Sequence, residues 1–133
     1  MQRVDAGTPE AIGDALARIA DSGAEALMVM DASMFNAHRQ RILEFARTHR
    51  LPTVCGVRIY AEAGCLMAYA SKIFEMWRRA AIVVDKILKG AKPADLPVEQ
   101  PAKFEVVINM KTAEALGITI PPTFLFLADE VIR

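Results

Sequence analysis

Residues 26–57 read ALMVMDASMFNAHRQRILEFARTHRLPTVCGV. Ala26 to Met30 is a short, unbroken apolar run. Its length suits a strand, and its continuity suits one buried on both faces, as in a parallel sheet. Asp31, Ala32 and Ser33 follow as a loop. From Met34 to His49 the pattern is helical, with Phe35, Ile42, Leu43 and Ala46 on the inner side. Pro52 interrupts, and Thr53 to Val57 reads as a second strand. Strand, helix and strand with short connections make a βαβ unit, and the right-handed crossover rule makes its strands parallel. The fold class expected is therefore α/β, built from βαβ layers on a parallel sheet.

The same grammar extends both ways. Toward the amino end, Gln2–Asp5 reads as the end of a short strand. Thr8 is placed to cap a helix whose first turn accepts Pro9, because the missing N–H of proline costs nothing there. Ile12, Leu16, Ile19 and Ala20 recur at helical spacing, and Gly23 suits the left-handed residue that ends a helix. Toward the carboxyl end, Arg58 to Gly64 reads as irregular or a short helix, and Cys65 to Tyr69 as extended. Lys72 to Lys89 is the clearest helix. Ile73, Met76, Trp77, Ala80, Ala81, Val84, Ile87 and Leu88 form one apolar stripe, and Gly90 stops it. Trp77 on that stripe reads as a packing residue rather than a ligand platform. Lys92 to Pro101 holds three prolines and reads as a surface connection. Phe104–Ile108 is a strand, Lys111–Leu116 a helix closed by Gly117, and Pro121–Pro122 open a last helix to about Ile132.

Bulk properties exclude several classes. A chain of 133 residues, 53% of them hydrophobic, is one domain with a real core. Sixteen basic residues balance 16 acidic ones, so no net field draws the chain to nucleic acid or a membrane surface. Arg78, Arg79 and the nearby lysines have no interleaved aromatics and read as a solvated face. No apolar run is long enough to span a bilayer. MQRVDAGTPEAIG at the start has no signal-peptide core, which implies a cytoplasmic chain if Met1 is the true start. Cys55 and Cys65, with nine residues between them, can pair but are not required to. They read as small buried apolar residues. Two cysteines and the distant His38 and His49 are too few for a zinc site, and no cofactor is expected. No G-x-S-x-G elbow, P-loop or dinucleotide fingerprint is present, so an enzyme is not expected.

Several stretches together resemble one family. These are ALMVMD at 26–31, HRQRILEFARTHRLP at 38–52, and Glu62-Ala63-Gly64 with Leu66, Met67 and Tyr69. The block RRAAIVVDKILKGAKPADLPVEQP at 78–101 and the terminal stretch 103–131 carry the rest. The chain is similar to ABC transporter substrate-binding proteins of the tryptophan/tyrosine type, which have a two-lobed type I periplasmic binding protein fold. The resemblance implies part of that fold. Residues 1–64 would be the βαβ portion of the second lobe. Residues 65–133 would hold a crossing segment, the long amphipathic helix, and a strand and helices packing across the lobes. It also implies a periplasmic location, permease subunits as partners, and noncovalent capture of a small solute, an aromatic amino acid among the candidates, by hinge closure. Cys65 stands where the family pattern has a glycine, Ala68 where it has serine, and Ala70 where it has glycine.

In open α/β sheets ligands bind beyond the carboxyl ends of the strands. That rule selects Asp31, Ser33, Arg58 and Glu62, with Tyr69 as a flat wall. Asp31 or Glu62 can hold an ammonium group. Ser33 with a helix N-terminus, or Arg58 through its fork of donors, can hold a carboxylate. The plainer alternatives stay open: Asp31 and Ser33 as helix caps, Arg58 as a locally paired side chain, Glu62 as solvated, and Tyr69 as hinge core. Two other functions compete. One is a truncated remnant that binds nothing and self-associates through the exposed stripe of 72–89. The other is a cytosolic small-molecule sensor, although no basic helix-turn-helix is present.

Overall fold

The computed structural model describes residues 1–98, 100 and 103–133. The expected connection 92–101 therefore includes Glu99 and Pro101, which lie outside the described residues; Pro93–Asp95 within it form one 3-10 turn. Helix α1, Ala11–Asp21, begins as the sequence implies: Thr8 Oγ1 accepts the Ala11 N–H at 3.4 Å, and Gly23 follows at φ +66°. Strand β1, Leu27–Val29, leads into α2, Ser33–Ala37, and α3, Arg39–Thr48. Strand β2 is Thr53–Cys55, α4 is Arg58–Glu62, and β3 is Met67–Ser71. Then come α5, Ile73–Leu88, β4, Phe104–Asn109, α6, Met110–Leu116, α7, Pro122–Leu127, and β5, Glu130–Ile132.

The five strands form one sheet in the order β1-β2-β3-β4-β5. The first three are parallel, as the βαβ reading requires; β4 runs antiparallel to β3, and β5 parallel to β4. The main core joins Ile12 and Leu16 of α1, Ile42 and Leu43 of α3, Val29, Cys55, Cys65 and Tyr60. A smaller one joins Ala61, Ala68 and Val107, with Ile132 against it. Polar struts tie α4 to α6. Asn109 caps α6 by accepting the Thr112 N–H at 3.1 Å and donates to the Ala61 carbonyl at 2.9 Å. Gly117 closes α6 in the left-handed region at φ 72°, where a side chain would be strained.

Six expectations change. Residues 1–7 have no regular structure, and Gln2–Asp5 does not pair with the free edge of β1. Strand β1 is buried on one face only: Val29 is buried, while Met28 and Met30 are 60% and 68% exposed, because the packed helices lie on the Val29 side. The helix expected over 34–49 breaks at His38, where Arg39 Nη1 takes the Asn36 carbonyl at 2.9 Å. The last helix stops at Leu127. The Asp129 N–H bonds the Val106 carbonyl and its carboxylate accepts the Val106 N–H, turning the chain into β5. Cys55 and Cys65 are buried as expected but joined as a disulfide, closing the segment that carries α4. Trp77, read as a packing residue, is 61% exposed, and no residue of α5 is buried.

Candidate functional site

The carboxyl ends of β1 and β2 bring the chain to one rim. Asp31 follows β1, and its carboxylate is exposed and accepts Asn36 Nδ2 at 3.1 Å. Gly56 follows β2 beside it. A Cβ added there would come within 3.4 Å of Asp31 Cβ, so glycine lets the two strand ends approach. Ser33 is the first residue of α2 and is exposed. The cap position of that helix is Ala32, which has no side-chain oxygen to give. Neither Asp31 nor Ser33 is therefore spent on capping.

Arg58 sits further along the rim with its donors engaged. Nε meets Glu62 at 2.9 Å, Nη1 meets Glu105 at 3.4 Å, and Nη2 meets Glu130 at 2.6 Å. The Glu130 and Glu62 hydrogen bonds raise its pKa well above the usual arginine range. Arg58 and Glu62 are thus partners of each other, and Arg58 ties α4 to the first residues of β4 and β5. Lys72, just after β3, and Asp129, just before β5, form a second tie at 2.8 Å.

Tyr69 is elsewhere. Strand alternation puts it on the face opposite Ala68 and Ala70, which pack toward α4. It is 55% exposed and stacks on Phe104, ring centres 5.3 Å apart and planes 9° apart. The fold therefore brings Asp31 and Ser33 together at the end of β1, places Arg58 and Glu62 as a pair on α4, and directs Tyr69 away from both.

Tyr60, which the sequence reading passed over, lies beneath this rim at 1% exposure. Its hydroxyl is buried without a partner, as are Arg39 Nε and Asn36 Oδ1. Burial pushes the Tyr60 phenol up to about 12; the Asp31 charge adds to that shift and the Arg39 charge opposes it. The phenol thus stays protonated and close to both charges. The available signal was a phenol flanked by Ile59 and Ala61, just past a strand end. A groove of about 230 Å³ lies instead between α3 and α6, lined by Leu43, Arg47, Leu51, Thr53, Lys111 and Thr112, and contains none of the rim residues.

Comparison with known proteins follows this geometry. The family model described as ABC transporter substrate binding protein matches residues 10–132. No protein of curated function matches. Among solved structures, an ABC domain in complex with L-Trp from Streptococcus pneumonia superposes with a TM-score of 0.88 at 26% identity, over 96% of this chain and 43% of that one. A conserved domain protein from Vibrio cholerae gives 0.88 at 24% identity, over 95% and 42%. A ligand-free, open substrate-binding protein with adhesive properties from Clostridium difficile gives 0.65 at 17% identity, over 95% and 42%, a likeness of fold alone. The chain spans less than half the length of these solved proteins. With a parallel-dominated sheet that carries a strand-end rim, and a family match over nearly its whole length, the chain belongs to the ABC transporter substrate-binding protein family and holds part of a periplasmic binding protein fold.

Proposed function

We propose that this chain is the second-lobe share of the solute-binding component of an ABC importer, working outside the cytoplasm and binding a small solute such as an amino acid without covalent chemistry. Residues 1–64 supply the βαβ part of that lobe. Residues 65–133 supply the crossing ribbon β3–β4, the helix α5 that packs on the other lobe, and the returning strand. The observation that carries the reading is the exposed Asp31 carboxylate at the end of β1. It is held by Asn36 and stands where open α/β sheets take their ligands. An ammonium group pairs with Asp31, and Ser33 faces the same rim. Arg58 and Glu62 act as a strut that fixes the height of α4, and Tyr69 with Phe104 forms an aromatic face on the crossing ribbon. The structure of a similar protein with L-Trp supports an amino acid as the solute class. The Cys55–Cys65 disulfide suits an oxidising compartment.

A panel of amino acids, tryptophan and tyrosine included, tests the reading by thermal shift of the purified chain. A ligand that binds the native state raises Tm by mass action. A rise with one or a few members is expected. A flat response across the panel favours the remnant reading, which the uncovered α5 also supports.

A further inference from the structure

Among the described residues, three buried side-chain polar atoms lack partners: the Tyr60 hydroxyl, Arg39 Nε and Asn36 Oδ1. Their side chains are linked through Asp31 and Asn36. Asn36 Nδ2 binds Asp31, Arg39 Nη1 binds the Asn36 carbonyl, and the charges of Asp31 and Arg39 both act on the Tyr60 phenol. Folded proteins pair nearly all their buried polar atoms, so each exception asks for a reason. Packing does not supply it for Tyr60. Its ring lies among Val29, Cys55 and Cys65, and a phenylalanine would fill the same space without an unpaired oxygen. Two of the three atoms are donors, and the exposed Asp31 carboxylate acts on one of them, the Tyr60 phenol. Unpaired donors beside Asp31 are complementary to the two ends of a zwitterion. The helix break at His38 lies between Asn36 and Arg39, so the two side chains sit on separate helices that meet at this place.

We propose that Tyr60 and Arg39 receive the carboxylate of the solute whose ammonium pairs with Asp31, making Tyr60 a specificity-determining residue for carboxylate-bearing solutes. This rests on the reading that the ends of β1 and β2 border the binding cleft. The solute's carboxylate supplies the acceptors that the Tyr60 hydroxyl and Arg39 Nε lack within the protein.

The test compares the wild-type chain with Tyr60→Phe, using the standard L-amino acids and then the primary amide of the one giving the largest shift. Wild type is expected to bind the acid, and to bind the amide about tenfold more weakly or worse, since a charge-assisted acceptor is lost. Tyr60→Phe is expected to bind the acid about tenfold more weakly as well, while its ligand-free Tm equals or exceeds that of wild type. A purely structural tyrosine would instead lower that Tm. Unchanged binding by Tyr60→Phe, or equal binding of acid and amide by wild type, overturns the proposal while leaving the importer reading intact. A wild type that responds to no amino acid overturns both. If Tyr60→Phe fails to fold, the acid-against-amide comparison on wild type still decides.

Discussion

Arg58 holds together residues that are far apart in the chain. Its partners Glu105 and Glu130 lie 47 and 72 positions away, and the Glu105 side chain is only 15% exposed. Arg58→Met keeps the aliphatic stem and leaves three neighbouring carboxylates, Glu62, Glu105 and Glu130, without their cation. The expected cost is about 1–2 kcal/mol, discounted because Arg58 and Glu130 are more than a third exposed. Urea unfolding checks it, and an unchanged midpoint would remove the strut role. Asp129 sets a pH limit at the same scale. The Lys72 hydrogen bond, followed by the Val106 N–H, holds its carboxyl below the usual aspartate range. A depressed acid stabilises the fold above its unfolded value and loses that contribution as pH falls through the folded one. Tm should therefore fall as the pH drops below about 4, and Asp129→Asn should flatten that limb. A limb identical in the variant would assign the effect to other carboxylates.

The elements differ in how far local sequence determines them. The period of α5, the stop at Gly90, the Asn109 and Gly117 ends of α6 and the parallel pairing of β1 and β2 follow from residues within a few turns of one another. The break at His38 and the strand β5 do not. The first depends on a side chain reaching a carbonyl. The second is three residues long and exists because β4 offers Val107 to Asn109 as partners. Segment 56–64 belongs to the second group, since the disulfide closes it. A loop this short restricts the unfolded chain by about 3 kcal/mol in the chain-entropy account. The double variant Cys55→Ala/Cys65→Ala, or wild type under reductant, should melt several degrees lower. Equal melting of all three samples, with free thiols detected in the untreated one, would show that the bond does not form.

Across the whole molecule the apolar surface is unevenly covered. Helices pack on the Val29 side of the sheet, whereas Met28 and Tyr69 on the other side are exposed, and so are Phe74, Trp77 and Leu88 of α5. Exposed large apolar side chains in this number favour contact with a partner surface. The chain studied alone should self-associate at micromolar concentration, and Trp77→Glu with Leu88→Glu should shift it toward monomer in sedimentation. The same pair should change the urea midpoint little, because neither side chain is buried. A wild-type monomer with cooperative unfolding would contradict this.

Asp31 was legible as a carboxylate at a strand end because a strand end followed by a polar loop is a local pattern. The α/β class and the family resemblance were legible for a related reason: period, caps and unusual blocks such as 78–101 are written along the chain. Folding alone decided that Arg58 is spent on three carboxylates, that Tyr69 faces away from the rim, that the cysteines meet, and that Tyr60 lies unpaired under Asp31. Each of these depends on which distant groups share a small volume, and neither periodicity nor composition carries that information.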